Sequence, residues 1–468
     1  MEWGWYIYIA FSFPTIKYCL ITKNILPEAT RDTYVGGGGI AIIGPLGGNV
    51  NIINCAIVNN FAGDFGGGIY SHIGNICLKN SWILNNKIKN NVRPFPNGGV
   101  GAYLYFYEMA GGEFINDSIA ENSGEGMVCG GGLIIHNAPP TMPPSFRMRN
   151  CKIISNFSPT IFGGGIFVKS RYLTGIDMGT FSAPGYNILM KNYAEGKPNE
   201  IYVLSGEPSS LTCIGNYWGS LDTDTIQSHI IIQPPSQFFF DPIAASDKYF
   251  SIIYNSRCTT SVIIDGKLSV EKDITLTIKE GRSFYFLNEG SFLLILGNLD
   301  AIGQEFLPIK FIPYPYSPIQ KWGGIVIDGT GNFEWCEIKK GYNGISGGGG
   351  LTGVISVNNS KIESCEVSGL YLKNPYRVEI SNSSIADNGV YGIYISSEII
   401  FIPVLWINNN QILRNGRYGI YWEEVNVGAT NIIQSNKITG WRDPNDPNTG
   451  SLYGIYLTKN PTASIPTV

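Results

Sequence analysis

Apolar residues along this chain recur in short runs of period 2 cut by Asn and Gly, and almost nowhere at helical spacing. In Val378-Glu-Ile-Ser and Ile393-Tyr-Ile-Ser, apolar residues alternate with polar or aromatic ones, the pattern of a strand with one buried face. These runs belong to a larger unit, Asn-x-x-Ile-x-x-Asn, clearest at Asn382–Asn388 and followed by Gly-Val-Tyr-Gly-Ile-Tyr-Ile. Degenerate copies run through Asn54–Asn60, Asn80–Asn86, Asn116–Asn122, Asn150–Asn156, Asn359–Ile362 and Asn409–Asn415. The central isoleucines at 57, 83, 119 and 153 lie 26, 36 and 34 residues apart, and those at 338, 362, 385, 412 and 438 lie 24, 23, 27 and 26 apart. A repeat of this length is one supersecondary unit that buries its apolar face only against its neighbours, so the chain reads as a solenoid. Each coil has room for three short strands and three turns, a parallel β-helix, whereas propeller blades need longer repeats. The fold class is therefore all-β, with each set of isoleucines stacked in one core. The closing asparagines 60, 86, 122, 156, 388 and 415 fall where the chain must turn. Asn tolerates left-handed backbone angles, and stacked copies can form an amide ladder.

Glycine sharpens this picture in the first half. Clusters at Gly36–Gly39, Gly66–Gly68, Gly98–Gly101, Gly130–Gly132 and Gly163–Gly165 recur in steps of 29, 33, 31 and 33 residues, counted from the last Gly of each. Each precedes an apolar strand, so the glycines are expected to allow unusual backbone angles and close approach of neighbouring coils. No helical pattern follows any cluster and no Gly-x-x-x-x-Gly-Lys-Ser/Thr occurs, which argues against a phosphate cradle.

Composition excludes several partners. The 468 residues contain 58 Gly and only 15% charged residues, with net charge −4; no basic cluster points to nucleic acid. No apolar run is long enough to span a membrane. The nine cysteines form no Cys-x-x-Cys. Cys19, Cys55, Cys151 and Cys336 each fall two residues before the apolar position of a repeat and read as small buried fillers. The apolar start lacks a basic leader pattern. Tyr18–Asn24 already reads as a repeat unit, so the chain is expected to begin inside a coil, with its true N-terminus missing.

The segment Gly215-Asn-Tyr-Trp-Gly219, followed by an Ile-rich stretch and Phe238-Phe-Phe-Asp-Pro242, resembles the terminal segment of bacterial right-handed β-helix proteins of the pectin-lyase-like superfamily. Leu276–Gly281, Leu294–Gly303 and Pro308–Phe311 resemble the opening of a second such helix. Trp322-Gly-Gly-Ile325 and Trp335-Cys-Glu-Ile338 resemble its repeat entry. The resemblance implies two tandem right-handed parallel β-helices, over 1–245 and 246–468, meeting near 243–257. It implies a secreted or cell-surface protein. It does not by itself fix an activity, because the superfamily spans lyases, hydrolases, epimerases, adhesins and structural proteins.

Candidate chemistry is sparse. His72, His136 and His229 are scattered, and no metal-ligand or calcium-loop spacing occurs, so neither metal nor cofactor is expected. The densest acids of the regular part are Glu334, Glu337, Glu363 and Glu366. Stacking the repeats sets Glu337 beside Lys361 and Lys339 beside Glu363, which reads as ladder pairing. The Gly-Ile-Tyr register places Tyr371, Tyr394, Tyr421 and Tyr456 at one outward position, with Ile393, Ile420 and Ile455 inward. That row is expected to be a solvent-facing ladder whose flat faces suit sugar rings. Tyr103, Tyr105 and Tyr107 share one face of a strand. Trp441, Arg442, Asp443 and Asp446 lie in a long loop beside the ladder and complete the candidate ligand-binding set. The expected function is non-enzymatic binding of polysaccharide or a cell-surface glycan. The alternative is a polysaccharide lyase or glycoside hydrolase of the superfamily, with acids assembled from successive coils.

Overall fold

A computed structural model describes residues 7–26, 36–44, 48–90, 97–107, 110–137, 145–234, 236–245, 249–347, 353–396, 404–425, 431–440 and 453–459. The chain divides into two compact units, Met1–Ser246 and Asp247–Val468. Both are built from parallel strands that pair with the equivalent strand one coil further on.

In the first unit one coil runs Ile69–His72, Asn75–Lys79, Trp82–Leu84 and Lys87–Asn90, and the next begins its matching strand at Ala102–Phe106. That makes four strands per coil, not the three expected. The extra strand follows the closing Asn, where first-unit coils carry additional residues. It is held because Ala62, Ile88, Val100 and Val128 give it a small apolar cluster of its own. The central isoleucines stack as expected: Ile57 pairs with Ile83, Ile83 with Ile119 and Ile119 with Ile153, all fully buried. In the second unit three strands per coil suffice. Ile338, Ile362, Ile385 and Ile412 form one buried column, and Ile438 continues it in register while half-exposed.

The repeat motif resolves into separate duties. Its opening Asn takes the left-handed conformation, with φ of 53° at Asn54, 51° at Asn80, 52° at Asn382 and 53° at Asn409. A second left-handed residue sits directly before the closing Asn: Asn59, Asn85, Glu121, Ser155, Asp387 and Arg414. The closing asparagines were expected to supply this backbone angle. They point inward instead, since the preceding residue has already made the bend. Each donates Nδ2–H to Oδ1 of the next, through Asn24, Asn60, Asn86, Asn122, Asn156 and Asn192, at 2.8–3.1 Å. The ladder ends on the carboxylate of Glu200 at 2.5 Å. A buried amide left without partners would cost about 1–3 kcal/mol, so the ladder fixes coil register as well as filling space. A parallel ladder uses the residue after the opening Asn. Ser81 N–H donates to Asp117 Oδ1 at 2.8 Å, and Ser360 N–H to Ser383 Oγ at 3.1 Å.

The last Gly of each cluster roofs this arrangement. A Cβ on Gly101 would lie 2.8 Å from the Ile119 side chain and 3.0 Å from Asn122 Nδ2, and one on Gly392 would lie 2.8 Å from Asn415 Nδ2. Only a residue without a side chain fits over the Ile–Asn pair.

The segment 215–219 ends the second of these ladders in the first unit. Asn216 Oδ1 accepts from Asn187, its Nδ2 donates to Met178 and Cys213 carbonyls, and Trp218 is buried. A helix, Thr223–Ser228, follows, where the sequence pattern indicated none. Its signal is local: Asp222 caps it through a bond from Thr225 N–H at 3.0 Å, and Ile226 is its one buried residue. All nine cysteines are free thiols, and eight are buried. Cys19, expected inside, is half-exposed.

Candidate functional site

Strands Ser368–Lys373, Tyr391–Ser396, Tyr418–Val425 and Tyr453–Lys459 pair in parallel. Their register aligns Tyr371, Tyr394, Tyr421 and Tyr456 on consecutive rungs. Leu370, Ile393 and Ile420 align beside them and are fully buried, which leaves the tyrosines outside the coil interior. Ile455 keeps the register but is 44% exposed.

The rings stack almost parallel, with centroids 4.5, 5.5 and 5.1 Å apart. A second row, Tyr391, Tyr418 and Tyr453, stacks beside it at 5.4 and 5.6 Å. The two rows meet edge to face, as at Tyr418–Tyr421 (4.9 Å, 73°). The second row was not anticipated, although Tyr-Gly-Ile-Tyr recurs at 391–394, 418–421 and 453–456.

This geometry corrects one expectation. Stacked rings turn their faces to each other, so the row presents edges and hydroxyls to solvent instead of a flat platform. Tyr394 is only 9% exposed, because it is flanked in its own row and covered by Tyr391. Its hydroxyl donates to a Glu423 carboxylate oxygen at 2.6 Å. Burial, then that carboxylate, raises the Tyr394 hydroxyl pKa well above the usual phenol range. Lys373 lies 5.6 Å over the ring of Tyr371, a cation–π contact on an outer face of the row. Trp441, Arg442, Asp443 and Asp446 lie outside the described residues.

Elsewhere the structure assembles groups that looked dispersed. His72, Tyr105 and His136 occupy one outward row on consecutive coils, 4.9 Å apart ring to ring; His229 is not among them. The signal was present, since each lies four residues after the last Gly of its cluster. Tyr103 is buried rather than displayed, in an outer cluster with Phe65, Cys129, Ile134, Phe167 and Tyr202. Its hydroxyl lies 2.6 Å from His136 Nδ1. Burial, helped by Lys169, pushes the His136 pKa down to about 4.

Of the two expected ladder pairs, Lys339–Glu363 forms an ion pair, while Glu337 stands in register with Lys361 but has its ion pair with Lys339. Lys339 lies 2.7 Å from Glu363 and 3.7 Å from Glu337, and Lys321 lies 2.7 Å from Glu366. Among the described residues no group of three His, Cys, Asp or Glu is placed to hold a metal ion. No helix among them is long and apolar enough to cross a membrane.

The chain matches no curated protein and no solved structure. Residues 317–465, which carry the tyrosine rows, match the family described as right handed beta helix region. The parallel ladders, inward isoleucines and coil-by-coil register of this segment agree with that match, and its fold is that of a right-handed β-helix.

Proposed function

We propose that the chain is a secreted or cell-surface β-helix that binds carbohydrate without acting on it, and that the double tyrosine row is its contact surface. The observation that carries this reading is the repetition itself. Seven tyrosines form two interlocked rows, and all but Tyr394 are at least partly open to solvent. Their hydroxyls recur at the rung spacing of about 4.8 Å. A rigid comb of this kind offers repeated weak hydrogen bonds and ring-edge contacts to a hydroxylated chain, and Tyr loses little rotamer freedom on binding. Eight of the nine thiols are buried, which shields them from an oxidising exterior.

The test removes hydroxyls and keeps the stack. Tyr391→Phe, Tyr418→Phe and Tyr421→Phe together should leave the circular dichroism spectrum unchanged. On a glycan array or by calorimetry, affinity for a neutral oligosaccharide should fall about tenfold, the loss of roughly one to two net hydrogen bonds. Equal binding by parent and variant would reduce the rows to a structural role.

A further inference from the structure

A second outer face of the unit Asp247–Val468 carries a groove of about 490 Å³, made by the turns that open the repeats and the strands that follow them. Its two sides are distinct rows. The left-handed opening asparagines Asn359, Asn382 and Asn409 form one: Asn409 Nδ2 donates to Asn382 Oδ1 at 2.7 Å, and Asn382 Nδ2 donates at 3.1 Å to Oδ1 of Asn358, the strand residue just before Asn359. Each of these amides keeps a further N–H to offer. The other row is Lys361, Ser384, Gln411 and Lys437, aligned on successive rungs. Trp335 lines the groove as well.

The charge balance of the groove is one-sided. None of the lining residues is acidic. Among the described residues neither Lys361 nor Lys437 has an ion-pair or side-chain hydrogen-bond partner. The nearest acids in the ladder, Glu337 and Glu363, are both engaged by Lys339. Two open cations, each on the first residue of a strand, stand at the ends of a neutral amide and hydroxyl lining.

We propose that this groove docks an extended acidic peptide segment of a partner protein, with two carboxylates four residues apart. Three rungs of about 4.8 Å place Lys361 and Lys437 about 14 Å apart along the solenoid axis. Four residues of extended chain, at about 3.4 Å each, also span about 14 Å, and residues i and i+4 point to the same side of such a chain. Asn and Gln side chains carry a donor and an acceptor together, which matches the peptide groups between the two acids. Single-stranded nucleic acid fits less well, because it carries a phosphate at every nucleotide and would meet only two cations over that length. This site is separate from the tyrosine rows and does not rest on their role.

The experiment is fluorescence anisotropy on the full chain with a labelled Ser/Thr/Gly peptide bearing two glutamates four positions apart. Saturable binding that weakens with added salt is expected. Affinity should fall about tenfold in Lys361→Ala and again in Lys437→Ala, as for loss of charge-assisted contacts at a partly open site. It should also fall about tenfold when the glutamates are moved to three positions apart. Both lysines are exposed, so circular dichroism should show an intact fold in either variant. Tyr391→Phe with Tyr418→Phe should bind the peptide as the parent does, which separates this site from the carbohydrate reading. Insensitivity to the lysines or to glutamate spacing would overturn the proposal. So would tighter binding of a uronate oligosaccharide or single-stranded DNA at these lysines.

Discussion

The two units solve the same packing problem with different completeness. In Met1–Ser246 the inner amide ladder runs from Asn24 to Asn192 without a break and ends on Glu200. In Asp247–Val468 the equivalent ladder is an Asn388–Asn415 pair, with Cys365 at the rung before it and Gly440 opposite Asn415 after it. The second unit compensates on the outside, where the tyrosine rows stack over the same coils. The first has a mixed outer row there, with His72, Tyr105 and His136. What stays constant is the Ile column roofed by Gly. The inner turn positions take small residues, several of which accept a backbone N–H from the neighbouring coil: Ser81, Asp117, Asn187, Ser360, Ser383 and Asn410.

The largest effect should come from breaking the complete ladder. In Asn122→Ala, the Asn86 N–H and Nδ2 lose their acceptor and the Ile83 carbonyl loses its donor. Chemical denaturation should show a loss of about 3–5 kcal/mol, the sum of two or three unsatisfied buried groups. Asn388→Ala deprives only Cys365 N–H of its acceptor, removes a long 3.5 Å bond to Ile362, and takes one of two donors from Asn415 Oδ1, which keeps the Asn388 N–H. It should cost about 1–3 kcal/mol. Equal losses would mean that ladder length adds nothing.

The second test uses buried acids, which among the described residues only the first unit places in its ladders. Burial pushes the Asp117 carboxyl up to about 8 and Glu200 to about 7, well above the usual carboxylate range. A carboxyl whose folded pKa is raised stabilises the fold fully below its unfolded value and loses that contribution as pH rises towards the folded one. Hydrogen exchange across the Ile83–Ile119 rungs should therefore quicken between about pH 4 and pH 8, beyond the intrinsic base catalysis of exchange. Asp117→Asn should remove most of this trend, raising protection at pH 8 and changing little at pH 4. A trend that persists in Asp117→Asn with Glu200→Gln would assign it elsewhere.

Tyr394→Ala should then destabilise the second unit by about 1–3 kcal/mol, since it removes a mostly buried ring with stacked partners on both sides. The smallest change belongs to the surface ladder pairs. Lys339→Ala should shift stability by less than about 1 kcal/mol, because the pair is roughly one-third exposed on each side. Thermal denaturation distinguishes the two.

Much of the fold was legible because its information is local and repeated. The central isoleucines, the Gly positions and the Tyr18–Asn24 unit all fell into the register that period alone assigned. The ladder pairing of Lys339 and Glu363 followed from the same register. The helix at Thr223–Ser228 escaped because one capped turn has no period to detect. The fourth strand escaped because it is short and uneven, from Lys87–Asn90 to Phe157–Ser158, and repeats no alternation from coil to coil. The candidate site was half legible. The first tyrosine row came from alternation, while its neighbour and the His72–Tyr105–His136 row required reading two registers together.

The sequence by itself determined which residues share a rung and which column each rung belongs to, since a constant repeat converts spacing along the chain into neighbours across coils. Only the tertiary structure decided how those columns face one another. The rings of Tyr371, Tyr394, Tyr421 and Tyr456 lie parallel and cover each other's faces. The left-handed bend falls on the residue before the closing Asn, which frees that side chain for the core. Both follow from a rung spacing of about 4.8 Å, close enough that stacked rings and amides satisfy one another before they reach solvent.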